Sequence, residues 1–282
     1  MFLPRLLTAV AAAPLFLWAL WLGGLPFLVF IFVLVLLALW EFHAMAEEGG
    51  HATQSWWGIF LGLLTASAFF LSGLRPDIRF AAQAPAFALT ASVALAVFRE
   101  MARRDKSVSM VRLGMTALGL LLISWPLSFL VLLRELRGNG VLYTVGRDAT
   151  LFLVALIWVQ DTTAWAVGRA VGKHRLAEVI SPKKSWEGAA GGLAGAVITG
   201  MILREAFFPH LFGRFEAASV AAVMGVLAQV SDLAESLVKR CFGVKDSSQL
   251  LPGHGGVLDR FDSFLLSTPF LYFYLTMIGR GM

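Results

Sequence analysis

The sequence predicts an all-α fold, a polytopic integral membrane helical bundle of about nine transmembrane helices, and three observations carry that expectation. Of the 282 residues, 58% are hydrophobic and only 15% are charged, against roughly 45–50% and 25% in soluble domains. Apolar runs of about 20 residues, the length that crosses a bilayer, recur along the chain. Basic residues gather in alternate connections between those runs, the pattern of loops held on the cytoplasmic side. Such a composition excludes a disordered chain, a disulfide scaffold and a nucleic-acid-binding module, so membrane lipids and not nucleic acid are the expected surroundings. One cysteine, Cys241, leaves no intrachain disulfide and no thiolate metal cluster.

Leu6 to Trp40 is a stretch of 35 uncharged residues, too long for one span. Gly23, Gly24 and Pro26 interrupt it, so two short helices in a tight hairpin are expected. The small residues Ala9 to Ala13 precede the bulky run instead of following it, which argues against a cleaved signal peptide. Further apolar stretches cover about 55–74, 80–98, 113–133, 149–167, 188–203, 217–237 and 263–279. Residues 1–148 thus form an N-terminal membrane region of about five spans, whose role the residues do not specify. Residues 149–282 form the region that carries the chemistry, with polar loops at 168–187 and 239–262. Fifteen of the 23 Lys and Arg fall on the face that holds both loops and eight on the other. Those loops are therefore expected in the cytoplasm, beneath a bacterial-type plasma membrane. The tryptophans and the Arg99–Lys106 connection read as interfacial anchors, and the acidic connection Glu41–His51 carries no functional signal.

Three acids interrupt the apolar runs: Asp161 in the sixth, and Asp232 and Glu235 in the eighth. A charge at the centre of a span costs roughly 2.5–3.5 kcal/mol, so such residues face a bundle interior and mark a site. Asp161 and Asp232 both lie about 10 Å below the cytoplasmic end of their helices at 1.5 Å per residue. Asp232 and Glu235 share a helical face, and close carboxylates at low dielectric repel unless a proton or cation intervenes.

After the eighth span come Ser236, Lys239, Arg240, Lys245 and Asp246, then Pro252-Gly-His254-Gly255-Gly256, then Asp259-Arg260-Phe-Asp262. Three cations lead into a glycine turn whose N–H groups can approach an anion. Oxygen ligands beside phosphate-binding cations suit Mg²⁺ bridging protein and nucleotide. This segment resembles the phosphatidate cytidylyltransferase (CDP-diacylglycerol synthase) family, whose pattern S-x-x-K-R-x4-K-D-x-S-x2-L-P-x-H-G-G-x2-D-R-x-D it meets throughout. A second block is similar to the same family: Asp161-Thr-Thr-Ala-Trp165, Gly168-Arg169, Gly172-Lys173 and Ser181-Pro-Lys183-Lys184-Ser185-Trp-Glu187-Gly188. Ser185 stands where threonine is commoner and keeps the hydroxyl.

The resemblance implies that CTP and phosphatidate give CDP-diacylglycerol and pyrophosphate with the help of Mg²⁺. It also implies K⁺ as a second cation, with Asp232 and Asp259 holding the pair, and a homodimer. A phosphate monoester is dianionic near neutral pH, so the reaction needs charge neutralisation and alignment, not a strong base. Asp232 and Asp259 are the expected metal ligands and Glu235 is a candidate third. Lys239, Arg240 and Lys245 are expected to serve catalysis by neutralising phosphate, although Lys239 and Arg240 also fit an ordinary basic flank. Ser181, Lys183, Lys184, Glu187, Asp161, Asp246, His254, Gly255, Gly256, Arg260 and Asp262 are expected to contact substrate. Gly188, Gly191, Gly192 and Gly195 read as a helix-packing stripe. Two rival readings fit parts of the pattern: a CTP-dependent polyprenol or phytol kinase, and an ion-coupled transporter. The long motif match and the lack of charged counterparts in the first half argue against both.

Overall fold

The structure is a computed structural model that describes residues 2–74, 78–136, 144–251, 253 and 255–277. Its elements are α1 Phe2–Leu22, α2 Gly24–Glu48, α3 Ser55–Leu74, α4 Ile78–Ala102, α5 Ser109–Gly119, a π-helical turn Leu120–Ser124, α6 Trp125–Arg134 and α7 Thr144–Val171. A short hairpin of β1 Arg175–Ala177 and β2 Ser181–Ser185 follows, then α8 Trp186–Ala206, α9 Arg214–Cys241, α10 Leu258–Phe261 and α11 Phe264–Met277. Among the described residues seven helical stretches are long and apolar enough to cross a membrane, α5 to α6 counting as one. The other two expected runs correspond to α1 and the 14-residue α11. The polytopic helical bundle is therefore the observed fold.

Helix boundaries depart from the apolar runs where polar residues continue a helix that nothing breaks. The stretch from Glu41 is not a connection: α2 continues to Glu48 and stops at Gly49-Gly50, where Gly50 has φ +79°. Likewise α7 extends to Val171 and α8 starts at Trp186, so the 168–187 loop shrinks to a hairpin. The break before α2 is where the glycines place it, with φ +65° at Gly23 and +52° at Gly24, values that glycine adopts without strain.

Packing divides the chain into two units. One comprises Met1–Glu135 and Lys239–Phe261, the other Leu136–Val238 and Asp262–Met282. In the first, Phe27, Ile31, Val35, Leu39 and Phe42 of α2 lie in the core. The end of α6 satisfies the α1–α2 hairpin. Arg134 donates to the carbonyls of Leu20 and Trp21 at 2.5 and 3.0 Å, and Glu135 accepts the Gly24 N–H at 2.8 Å. A cation at a helix C-terminus and an anion at an N-terminus each complement the helix dipole and its orphan backbone groups. Glu100 is no interfacial anchor: it is 3% exposed, pairs with Arg112, and accepts Gln54 Nε2 at 2.7 Å and Ser109 Oγ at 2.9 Å.

In the second unit α8 lies tightly along α7. A Cβ at Gly191 would stand 2.6 Å from Val167 Cβ, one at Gly192 2.8 Å from Ala164 Cβ, and one at Gly195 2.3 Å from Thr163 Oγ1. The glycine stripe is thus a helix-packing seam, as the spacing predicts.

Candidate active site

The second unit holds a cavity of about 450 Å³, and α7, the β1–β2 hairpin, α8 and α9 line it. Asp161, Trp165 and Arg169 reach it from α7, where a four-residue spacing stacks them on one face. Ser181, Lys183, Lys184 and Ser185 come from β2, and Gln229 and Asp232 from α9. Lys184 Nζ forms an ion pair with Asp232 Oδ2, and the Arg169 guanidinium lies 5.5 Å from the Trp165 ring centre. Ser185 caps α8, its Oγ accepting the Gly188 N–H at 3.1 Å, which fits the preference for a hydroxyl at an N-cap. The spaced glycines of the Gly168-Arg-x-x-Gly172 motif let the end of α7 meet this cap. A Cβ at Gly172 would lie 2.6 Å from Ser185 Oγ.

Beside the cavity-lining acids the same unit gathers further carboxylates. Glu235 is 2% exposed. Asp262, in the turn before α11, has its carboxyl pushed well above the usual range, by burial first and then by the charges of Asp232, Glu235 and Asp161. Ser231 ties this turn to α9: its hydroxyl donates to the Asp262 carbonyl and accepts the Leu266 N–H at 3.3 Å. Among the described residues no three His, Cys, Asp or Glu side chains converge closely enough to hold a metal as they stand. Glu187 sits elsewhere than in the cavity lining. Its carboxylate accepts the N–H groups of Lys173 and His174 at 3.1 and 3.3 Å and pairs with His174 Nδ1 at 2.6 Å, which braces the turn before β1.

In the first unit the loop after α9 is organised by Asp259. Its Oδ1 receives Lys239 Nζ at 2.5 Å. Its Oδ2 accepts the Ser247 N–H at 3.0 Å, the Ser247 hydroxyl at 2.9 Å and the Gly256 N–H at 2.8 Å. Burial works to raise this carboxyl, but the Lys239 ammonium and the N–H donors outweigh it and hold Asp259 below the usual range. Gly255 has φ +82°, and a Cβ there would lie 2.8 Å from Asp259 Oδ2, so both conformation and space demand glycine. Lys239 is 9% exposed, buried well beyond what a basic flank needs. Arg240 donates to its own turn at the Val244 carbonyl, 3.0 Å away. Lys245, Asp246 and Arg260 are exposed, and His254 lies outside the described residues.

The structure therefore brings together Asp161, Ser181, Lys183, Lys184 and Asp232 around one cavity, Asp262 with its neighbouring acids, and Lys239 with Asp259 and Gly256. Residues absent from the expected site also appear. Trp165, Arg169 and Ser185 lie within the recognised motifs, and that was their signal. Ser247 and Glu41 are tied to the Asp259 loop. Glu41 announces itself only as the first charge after 35 uncharged residues.

Helices of spanning length and a cavity lined by cations and carboxylates define a multi-pass membrane protein with a charged cavity. Residues 3–278 match the cytidylyltransferase family, and the chain belongs to that family. Phosphatidate cytidylyltransferase of Brucella abortus biovar 1 (strain 9-941) is 33% identical over 273 residues, 96% of this chain and 92% of that protein. The Bacillus subtilis (strain 168) protein of the same name is 32% identical over 282 residues, 98% of each chain. That of Staphylococcus epidermidis (strain ATCC 35984) is 33% identical over 267 residues, 95% and 96% of the two chains.

Proposed function

We propose that this cytidylyltransferase transfers the cytidylyl group of CTP to phosphatidate, yielding CDP-diacylglycerol and pyrophosphate. A phosphate oxygen of phosphatidate forms a bond to the α-phosphorus of CTP. The bond from that phosphorus to the bridging oxygen breaks, and pyrophosphate leaves with the electron pair. The nucleophile is already an anion near neutral pH, so no side chain need remove a proton. The protein supplies in-line alignment and stabilises the charge that builds on the leaving group.

The observation that carries this reading is the cavity in which Arg169, Lys183 and Lys184 face Asp161 and Asp232. Cations alone would suit any anion; cations beside carboxylates suit phosphates that arrive with a metal. The donors are all carboxylate oxygen, the chemistry a hard divalent cation takes, and the ion would have to draw them together, since no three converge as they stand among the described residues. Asp232, with Glu235, would hold Mg²⁺; Asp259, the other ligand that the resemblance implies, has its oxygens met by Lys239, Ser247 and Gly256. The ion would supply charge neutralisation on the phosphates. Lys184 already pairs with Asp232, which places a cation for phosphate beside that carboxylate. The excess of Lys and Arg on the loop-bearing face supports a cytoplasmic entrance for CTP, with phosphatidate coming from the leaflet.

The test uses purified protein in lipid–detergent micelles with Mg²⁺, phosphatidate and CTP labelled at the α or the γ phosphate. Label from the α position is expected in lipid, and Asp232→Asn is expected to abolish its transfer. Label passing from the γ position to an added lipid alcohol would instead make the protein a kinase.

A further inference from the structure

Glu41 belongs to none of the motifs that carry the family resemblance, yet it is fully buried in α2 at 0% exposure. Both its oxygens are engaged by the loop between α9 and α10. Oε1 accepts the Ser248 hydroxyl at 2.6 Å and the Val257 N–H at 2.8 Å. Oε2 accepts the Leu258 N–H at 2.8 Å and lies 3.2 Å from the Ser247 hydroxyl. A carboxylate in a spanning helix is costly unless its charge is met by donors, and here the donors come from residues more than 200 positions away.

The contacts lead directly to Asp259. Ser247 Oγ stands 2.9 Å from Asp259 Oδ2 and 3.2 Å from Glu41 Oε2, so one hydroxyl joins the two acids. Val257 and Leu258, whose N–H groups Glu41 holds, immediately precede Asp259. Gly256 is caught between the same groups. A Cβ there would lie 1.9 Å from Ser247 Oγ and 2.7 Å from each Glu41 oxygen, so the second glycine of the turn is required by the approach of Glu41. Phe261 of α10 also packs edge-on against Phe16 of α1, ring centres 5.5 Å apart, which seats the same segment on the N-terminal hairpin.

We propose that Glu41 is a positioning residue for cytidylyl transfer: from α2 its carboxylate holds Ser247, Ser248, Val257 and Leu258 and thereby fixes where Asp259 and its partner Lys239 stand. This gives the N-terminal half a part in building the site. The inference rests on the reading that the Asp259 loop serves the reaction, and the experiment separates the two.

Full-length Glu41→Gln, Glu41→Asp and Asp259→Asn are assayed in lipid–detergent micelles with Mg²⁺, phosphatidate and CTP, and amide hydrogen exchange is followed in parallel. The amide keeps the shape of Glu41 but turns an NH₂ toward donors. Glu41→Gln is expected to lower kcat about 10- to 100-fold with the KM for CTP changed less than about 3-fold, since a misplacement of about 1 Å costs that order. Glu41→Asp is expected to recover part of the rate. The amides of Val257 and Leu258 are expected to exchange faster in Glu41→Gln, while those of α7 do not change. Wild-type kcat in Glu41→Gln beside an inactive Asp259→Asn would overturn the proposal, as would a rate loss with unaltered exchange at Val257 and Leu258. Wild-type activity in Asp259→Asn would remove the loop from the reaction and overturn the reading beneath it. Should Glu41→Gln not yield folded protein, Ser247→Ala, which cuts the link between the two acids, is read by the same measurements.

Discussion

The two units treat their buried carboxylates in opposite ways. In the first, Asp259 receives an ammonium and two N–H groups, Glu41 meets two N–H groups and the Ser248 hydroxyl, and the one Ser247 hydroxyl stands between the two acids. Every oxygen has donors, and Asp259 is held below the usual carboxylate range. In the second, Asp262 is pushed up by burial and by three other acids, while Lys184 stands on Asp232. Acids saturated with donors make a rigid scaffold. Acids that repel one another favour a bound proton or a cation, and the proposed Mg²⁺ would act in the second unit.

The largest expected effect breaks the second unit's side of that contrast. Asp232→Asn is expected to lower kcat by about 10³-fold, the order of losing a group that stabilises developing charge, and to raise the Mg²⁺ concentration for half-maximal rate. A Mg²⁺ titration of initial rates checks it, and an unchanged half-saturation point would exclude Asp232 as a ligand. Next in size is stability. Asp259→Asn takes away the charge that Lys239 Nζ meets at 2.5 Å, and removing one partner of a buried ion pair costs about 3–5 kcal/mol, so the melting temperature is expected to fall. Asp262→Asn removes a repelled charge and is expected to raise the melting temperature of metal-free protein at neutral pH while impairing activity. Opposite shifts from two Asp→Asn changes three residues apart sharpen the comparison; equal shifts would break it.

The pH response should separate the units by sign. A carboxyl whose folded pKa is raised binds its proton more tightly when folded, so stability rises as pH falls toward the unfolded value. Asp262, raised well above 3.8, therefore predicts that metal-free protein gains thermal stability on going from pH 8 toward pH 5, and that Asp262→Asn flattens the trend. Asp259, lowered from 3.8, contributes stability above that value and loses it only as the pH falls through its folded pKa. Thermal scans across pH with and without Mg²⁺ test both signs. The smallest effect is expected at Glu187, whose bonds to Lys173 and His174 are exposed. Glu187→Ala should leave the melting temperature nearly unchanged, since exposed ion pairs are screened by solvent.

Much of this was legible in residue order. Each of the nine apolar runs contains a helix, the α1–α2 break falls at Gly23-Gly24, and the glycines of α8 pack where their spacing directs. The motifs located Asp161, Lys183, Lys184 and Asp232 around one cavity. Glu41 escaped, because it looked like the first polar residue of a connection when it is the last-but-seven residue of α2. Glu187 braces the turn before β1, contacts that its motif position does not announce.

The division follows from the range of the forces. Span length, helix breaks and the sidedness of basic residues arise from transfer into lipid and from local backbone preference, and both act residue by residue along the chain. The sequence by itself therefore determined the membrane class, the helices, the family and the residue types of the site. Which donors meet a buried carboxylate depends on groups brought close from distant positions, since a buried charge must be answered wherever the fold supplies an answer. Only the tertiary structure could decide that Glu41 meets the residues before Asp259, that Ser247 joins those two acids, and that Asp262 feels the charges of Asp232, Glu235 and Asp161.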